Sequence, residues 1–110
     1  MQIGAWKFGI SPINWVNEDV TTVGDHYTCE QLLHDFTTLG FTGTENCRKF
    51  PREPAELKRV LSAKGLELTS QWKGVIFADP ARRKEELAAY RKHVEFLHEM
   101  GAERVVTWEI

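Results

Sequence analysis

The stretch TCEQLLHDFTTLGFTGTE, residues 28–45, contains a helix start, a helix stop and a strand in direct succession. Thr28 and Gln31 fit a capping box, in which the hydroxyl and the side-chain amide satisfy backbone N–H groups at a helix start. Gly40 ends the helix, since glycine readily adopts the left-handed conformation that follows a last helical turn. The pattern therefore predicts a helix that begins at Thr28 and a strand over 41–45. The apolar residues expected on the buried side of this helix are Leu32, Leu33, Phe36 and Leu39.

The same arrangement of helix, glycine and strand occurs twice more along the chain. A second helix is predicted over 54–64, with Pro54 in its first turn and Gly65 after its last residue. A third helix is predicted to start at Asp79-Pro80, where the aspartate side chain caps the helix and the proline takes the first turn. Gly101 ends this third helix. Its residues at helical spacing are Leu87, Tyr90, Val94, Leu97 and Met100.

Four strand-like runs alternate with these helices, each rich in apolar, aromatic or threonine residues. They are 3–10, 41–45, 66–70 and 104–108. The connections between them are too long for hairpins, which favours parallel pairing and an α/β fold. An open doubly wound sheet and a (β/α)8 barrel both begin in this way.

The length of the chain allows only part of a barrel, because a complete (β/α)8 barrel needs about 250 residues. Residues 1–110 are therefore predicted to form a single partial domain, the N-terminal half of such a barrel, with about four parallel strands and three helices. A half of this kind leaves strand edges unpaired. Three explanations stay open: a piece of a longer protein, two copies that complete each other's sheet, or a small open-sheet domain.

The composition is that of an ordinary globular protein, with 42% hydrophobic residues and a formal net charge of −2. The near balance of 14 basic and 16 acidic side chains argues against nucleic acid as a partner. No apolar run approaches the roughly 20 residues of a membrane span, and the first residues lack the pattern of a signal peptide. We therefore expect a cytoplasmic protein without a membrane partner, whose Cys29 and Cys47 are free thiols.

Polar and aromatic residues follow the predicted strands, at the end of a parallel sheet where functional groups of α/β folds lie. Asn14 and Trp15 follow the first strand, where an amide can bind a hydroxyl and an indole can stack on a sugar-like ring. Glu45 ends the second strand with Lys49 nearby, and Trp72 follows the third, where it would face Trp15. Two tryptophans beside polar groups fit a polyol ligand. Each residue also has a structural alternative: a turn, a loop anchor or a salt bridge.

The remaining reactive side chains give weaker signals. Cys47 has no neighbouring base in the sequence that would make it a nucleophile. His26 is the one histidine with a route to the strand ends, and Glu109 follows the fourth strand. No glycine-rich phosphate loop occurs, so nucleotide binding is disfavoured. No catalytic residue and no metal ligand is assigned from these patterns.

Three motifs together resemble the inosose dehydratase family. They are GISPINW at 9–15, GFTGTE at 40–45 and Phe50-Pro51. The resemblance covers essentially the whole chain. It implies the N-terminal part of a xylose-isomerase-like (β/α)8 barrel that binds manganese or cobalt, with glutathione as a further cofactor of the complete enzyme. It also implies a hydro-lyase of inositol catabolism that removes water from 2-keto-myo-inositol.

The resemblance further places the metal ligands of this superfamily on strands in the second half of the barrel. It therefore implies a chain without a metal site, inactive alone, that contributes a wall of the substrate pocket. The residues expected to contact the ring hydroxyls or to shape this pocket are Asn14, Trp15, Glu45, Lys49 and Trp72. In the complete enzyme, we expect Trp15→Ala and Glu45→Gln to impair turnover while sparing the fold.

Two alternatives to this function stay open. A sugar isomerase or epimerase of the same superfamily would share the barrel and the metal but move hydrogen instead of expelling water. A non-catalytic half-barrel module would self-associate through its exposed strand edges as a homo-oligomer. Assays on sugars and on 2-keto-myo-inositol distinguish the first, and the mass of the folded protein in solution tests the second.

Overall fold

The computed structural model describes residues 2–110, so that Met1, the first residue of the predicted domain, lies outside the described residues. The helices of the described chain are α1 (Cys29–Thr38), α2 (Pro54–Ala63) and α3 (Arg83–Glu99), and Pro12–Asn14 form a 3-10 turn. The strands are β1 (Gln2–Ile3), β2 (Trp6–Lys7), β3 (Gly9–Ile10), β4 (Gly43–Glu45), β5 (Glu67–Ser70), β6 (Trp72–Val75) and β7 (Val106–Glu109).

Strands β3 to β7 form parallel sheets joined by helices, which confirms the α/β prediction, while β1 and β2 form an antiparallel pair. A three-stranded parallel sheet has the order β3-β4-β5, with α1 and α2 as its crossover helices. Strands β6 and β7 form a separate two-stranded parallel sheet, and α3 connects them. Successive βαβ units of this kind make up the first part of a (β/α)8 barrel.

The first two helices begin where their capping signals predict. The Thr28 side chain accepts a hydrogen bond from the backbone N–H of Gln31, and the Gln31 side chain accepts one from the N–H of Thr28. Pro54 opens α2, and the preceding Glu53 carboxylate caps this helix by accepting from two backbone N–H groups. Both signals involve residues within one helical turn, so the sequence alone is sufficient to find them.

The predicted start of the third helix at Asp79-Pro80 is wrong, because α3 begins at Arg83. The Asp79 side chain does cap a turn, accepting a hydrogen bond of 2.9 Å from the N–H of Ala81. The Asp79 carbonyl accepts from the N–H groups of Arg82 and Arg83, and closes a turn before the regular helix. An aspartate followed by proline stabilises a turn as readily as a helix start.

Two strand predictions also need correction. The run 3–10 is divided into β1, β2 and β3, because Gly4 has a positive φ of 61° and turns the chain into an antiparallel hairpin. After β5, the chain does not enter a loop. A single residue, Gln71, separates β5 from β6, and β6 pairs with β7. The sequence-based interpretation missed β6, because Trp72 was assigned to the loop that follows the third strand.

The core lies between the three-stranded sheet and the helices α1 and α2. Leu32, Leu33 and Phe36 of α1 are buried, as their spacing predicts, whereas Leu39, expected on the same side, is 51% exposed. On α3 the predicted stripe is only partly covered, because Leu87 and Val94 are each 41% exposed. The buried core residues contributed by α2, the strand β5 and the last turn of α3 are Leu57, Leu61, Leu68, Leu97 and Met100.

No helix within residues 2–110 is both long and apolar enough to cross a membrane.

Candidate functional site

A cavity of about 460 Å³ lies at the carboxyl ends of β3, β4 and β5. This is the edge at which parallel α/β sheets bind ligands. The cavity lining combines polar residues from the strand ends with apolar residues from the loop after β3 and from β6 and β7. Its lining includes Asn17, Glu18, Glu45, Asn46, Gln71, Trp72 and Val106.

A second depression, of about 500 Å³, lies on the outer surface of α1. Its walls include Gln31, His34 and Lys64, which are exposed side chains of two helices and their ends. It lies away from the strand ends where α/β folds concentrate their functional groups. The cavity at the strand ends is therefore the candidate site.

Glu45 reaches the cavity from the end of β4, as the sequence predicts. A side chain at Gly43 would not fit in this strand, because an added Cβ would lie 2.5 Å from Cγ2 of Thr69 on β5. The close approach of Thr69 to the β4 backbone therefore requires glycine. The Glu45 carboxylate makes no hydrogen bond or ion pair with any residue in the described part of the chain, and is available for a ligand.

An amide pair joins the ends of β4 and β5. The Asn46 side chain accepts a hydrogen bond of 3.0 Å from the N–H of Cys47 and donates one of 3.1 Å to Oε1 of Gln71. The Asn46 N–H donates to the carbonyl of Ser70. On the other side, Nε2 of His93 on α3 donates to the Gln71 carbonyl at 3.2 Å. Both the backbone and the side chain of Gln71 are thus held in place.

The loop after β3 is fixed to the end of β4 by two cations. Arg48 donates to the carbonyl of Asn17, to the carbonyl of Thr21 and to the Asp25 carboxylate. Lys49 Nζ binds the same Asp25 carboxylate at 2.9 Å. Hydrogen bonds from Arg48 and then Lys49 lower the pKa of Asp25 to about 2. These contacts hold Asn17 against the cavity, while Lys49 itself does not line it.

Asn14 and Trp15 also lie outside the cavity lining. The Trp15 indole Nε1 donates a 2.9 Å hydrogen bond to Oδ2 of Asp35, and its ring packs against Phe36 of α1. Asn14 ends the 3-10 turn and is exposed. The structure therefore does not bring Trp15 and Trp72 together across the cavity. The binding roles of Asn14, Trp15 and Lys49 stay predictions.

Trp72 lines the cavity from β6, and about half of its side chain is exposed. Its ring lies over Gly74, where an added Cβ would come within 3.0 Å of it. Val106, the residue paired with Trp72 on β7, extends the same apolar wall. An exposed indole of this kind can cover the apolar face of a ring-shaped ligand.

The other reactive side chains singled out from the sequence have structural partners. Burial raises the pKa of Cys47 to about 11, so its thiol stays protonated at neutral pH although it lines the cavity. His26 packs on the ring of Tyr27. The Glu109 carboxylate accepts hydrogen bonds from the backbone N–H groups of Phe77 and Ala78 and fixes the segment that follows β6.

Comparison with known proteins identifies the relatives of this chain. The inosose dehydratase of Geobacillus kaustophilus is 40% identical over 108 residues, which cover 98% of this chain and 35% of the relative. The chain is related to the inosose dehydratases. The Lacticaseibacillus casei inosose dehydratase is 37% identical over 103 residues, or 94% of this chain and 34% of the relative. The inosose dehydratase of Erwinia tasmaniensis is 40% identical over 96 residues, which cover 87% of this chain and 32% of the relative.

The chain spans about a third of the length of these inosose dehydratases. No family model matches it. The resemblance seen in the GISPINW and GFTGTE motifs is thus confirmed by relatives from several bacteria. A relative about three times longer also agrees with a chain that forms one part of a barrel.

The metal that the inosose dehydratase resemblance implies finds no set of ligands in residues 2–110. Within that range, no three His, Cys, Asp or Glu side chains form a group that could hold a metal ion. Three carboxylates of this part of the chain line the cavity: Glu18 accepts a hydrogen bond from the N–H of Arg48, and Asp19 and Glu45 do not form a metal-binding group with it. The described residues therefore do not fit a metal site.

Sequence reasoning missed Asn46, Gln71 and Val106 as cavity residues. Asn46 and Gln71 directly follow β4 and β5, so their positions at strand ends were a usable signal. Their pairing depends on the register of the two strands, in which Glu45 lies opposite Ser70. Val106 could not be found in this way, because it joins the cavity only through β6, which was not predicted.

Proposed function

We propose that this chain forms one wall of the substrate cavity of an inosose dehydratase-like hydro-lyase, which removes water from 2-keto-myo-inositol in inositol catabolism. The observation that carries the proposal is the cavity at the strand ends, which both the unpaired Glu45 carboxylate and the Trp72 indole line. The names of the relatives supply the reaction class. Of the residues expected to bind substrate, Glu45 and Trp72 have the best support.

Dehydration next to a ketone removes the proton alpha to the carbonyl and expels the hydroxyl on the following carbon. In this scheme the Glu45 carboxylate accepts a hydrogen bond from a ring hydroxyl and orients the ring. Trp72 and Val106 cover the apolar face of the ring and exclude water from that side. These residues therefore bind and orient the ring.

The cofactor expectations belong to the complete enzyme in this proposal. Manganese or cobalt, and glutathione, follow from the resemblance alone, and no step assigned to the residues of this chain depends on them. A divalent metal supplies charge stabilisation when an enolate-like intermediate develops. A cytoplasmic location is likewise part of the proposal.

The function is tested with a chimera in which this chain replaces the matching third of the Geobacillus kaustophilus inosose dehydratase. We expect the chimera to dehydrate 2-keto-myo-inositol, measured by the ultraviolet absorbance of the dione product, and the chain alone to be inactive. Glu45→Gln should reduce turnover by about tenfold or more. Glu30→Gln, at an exposed position on α1, is the matched control and should leave turnover unchanged.

Two results would contradict this proposal. A folded chimera that interconverts an aldose and a ketose, and leaves 2-keto-myo-inositol unchanged, favours the sugar isomerase or epimerase alternative. Equal turnover by the Glu45→Gln and Glu30→Gln variants would show that Glu45 does not bind the substrate.

A second candidate function, a self-associating module without catalysis, is favoured by the open face of the β6–β7 sheet. Trp108 and Ile110 are 65% and 73% exposed, and they continue the face on which Trp72 and Val106 lie. We propose that a second copy of the chain covers this face and pairs with the open edge of β7, forming a homo-oligomer.

Sedimentation velocity over a range of protein concentrations tests this self-association. The Trp108→Ser/Ile110→Ser double variant should shift the chain toward monomer, whereas Trp6→Ser, an equally exposed aromatic on β2, should not. A folded wild-type chain that stays monomeric at every concentration would exclude the module.

A further inference from the structure

The hydrogen bonds between Cys47, Asn46 and Gln71 have a fixed direction. A backbone N–H can only donate, so the Cys47 N–H requires the oxygen of the Asn46 amide at its 3.0 Å contact. The Asn46 nitrogen must then face Gln71, where it donates to Oε1 at 3.1 Å. The orientation of both side-chain amides therefore follows from a backbone donor that cannot reverse.

This direction leaves the Gln71 amide nitrogen as the group that faces a ligand. Its two N–H donors have no hydrogen-bond partner among residues 2–110, and Gln71 lines the cavity. His93 holds the Gln71 backbone through its carbonyl, and Asn46 holds the side-chain oxygen. The same cavity contains the unpaired Glu45 carboxylate, which accepts hydrogen bonds. The cavity thus offers a fixed donor and an acceptor beside the Trp72 ring.

We propose that the Gln71 amide donates a hydrogen bond to the ketone oxygen of a cyclic polyol, and that Asn46 is a positioning residue that keeps the Gln71 donors facing the ligand. This rests on the proposed function, and it deepens that function by naming the group that binds the ketone oxygen. A ketone oxygen can only accept, whereas a hydroxyl can donate or accept. Reversing the Gln71 amide therefore rejects a ketone and tolerates a hydroxyl at the same ring position.

The substitution Asn46→Asp reverses the amide without removing any large side chain. An aspartate still accepts from the Cys47 N–H, but its second oxygen requires a donor from Gln71 and so turns the Gln71 oxygen toward the cavity. Gln71→Glu presents an acceptor directly and does not involve residue 46. Asn46→Ala removes the positioning contact without adding charge, and it should weaken ketone binding less than Asn46→Asp.

The experiment measures the dissociation constants of 2-keto-myo-inositol and myo-inositol for the 110-residue chain, by NMR titration of the Trp72 indole N–H. The wild-type chain should bind both rings, because the Gln71 donors can serve a ketone oxygen or a hydroxyl oxygen. We expect Asn46→Asp and Gln71→Glu each to change the ratio of the two constants by about tenfold in favour of myo-inositol. This ratio separates positioning from a structural role, because general loosening of the cavity weakens both ligands together.

The possible failures are distinguishable. If the wild-type chain binds neither ring, or if the ratio is unchanged in the folded variants, only the role of Gln71 is overturned. The proposed function is decided separately, by whether the chimera dehydrates 2-keto-myo-inositol. If Asn46→Asp fails to fold, the ratio of the two dissociation constants in Gln71→Glu tests the role of Gln71 alone.

Discussion

Trp15 is tied to Asp35, with its indole Nε1 donating a 2.9 Å hydrogen bond to the Oδ2 of that carboxylate. Its ring also packs edge-on against Phe36, with the ring centroids 5.1 Å apart. Trp15, just after the 3-10 turn of the loop that follows β3, therefore anchors this loop on α1. This anchor sets the path of the loop toward Arg48 and so brings Asn17 to the cavity.

The first prediction concerns the stability that Trp15 contributes. Trp15→Phe keeps most of the ring and loses the hydrogen bond to Asp35, so the free energy of unfolding should fall by about 1 kcal/mol. Trp15→Ala also loses the contact with Phe36 and should cost about 3 kcal/mol. Urea denaturation measures both values, and Trp6→Phe, at an exposed position, is the control.

These contacts conflict with the sequence-based expectation that Trp15→Ala spares the fold. If the Trp15→Ala chain is as stable as the wild type, that expectation is correct, and Trp15 does not anchor the loop on α1. Loss of turnover by Trp15→Phe in an active chimera, at wild-type stability, would instead support a binding role for the indole.

The parts of the fold that local signals determine could be predicted from the sequence. The capping box of Thr28 and Gln31, and Pro54 at the start of α2, lie within single turns, and both helices begin as expected. The position of β6 depends on pairing between Trp72 and Val106, which lie far apart in the chain. No pattern within a short window contains that information.

The residues of the candidate site also fall into those that the sequence could predict and those that it could not. Glu45 and Trp72 line the cavity, and their place beside strand ends was sufficient to select them. Trp15 was selected by the same rule and lies elsewhere, because the position of its side chain depends on Asp35 in the following helix. The Asn46–Gln71 pair depends on the register between β4 and β5, which the sequence leaves open.

The second prediction concerns the close contact between Gly43 and Thr69. Gly43→Ala places a Cβ 2.5 Å from Cγ2 of Thr69, so this variant should lose about 1–3 kcal/mol of stability. Thr69→Ser removes that methyl group and keeps the hydroxyl, and should restore most of the loss in the double variant. Gly9→Ala is the control, because its nearest neighbour, the Gly43 carbonyl oxygen, would lie at an ordinary 3.4 Å.

Chemical denaturation of the four proteins measures this coupling as a double-mutant cycle. Additive effects of Gly43→Ala and Thr69→Ser would show that the two side chains do not compete for the same space.

The third prediction concerns the charge of Asp25. Hydrogen bonds from Arg48 and Lys49 lower the pKa of this carboxyl from 3.8 to about 2. In Arg48→Ala and in Lys49→Ala, we expect the pKa measured by NMR titration to rise part of the way toward 3.8, because each variant loses one hydrogen bond and one charge that lower the pKa.

The same shift has a definite sign in the pH dependence of stability. A folded-state pKa below the unfolded value adds stability above about pH 4, and this contribution is lost as the pH falls toward 2. The difference in unfolding free energy between the wild type and Asp25→Asn should therefore be largest at neutral pH and vanish near pH 2. Because Asp25 is exposed, the difference is small and should decrease further in high salt. A difference that grows on acidification would contradict this assignment.

The fourth prediction concerns the reactivity of the two thiols. Burial raises the pKa of Cys47 to about 11, so only about one thiol in a thousand is ionised at pH 8. Burial, and then Glu30, also raises the pKa of Cys29, but this residue is less enclosed at the start of α1. Iodoacetamide should therefore modify Cys29 first, as resolved by peptide mass spectrometry, and should modify Cys47 only as the chain unfolds. In urea both thiols should react at similar rates. Rapid modification of Cys47 in the folded chain would mean that the cavity holds a thiolate, and Cys47 would then become a candidate nucleophile.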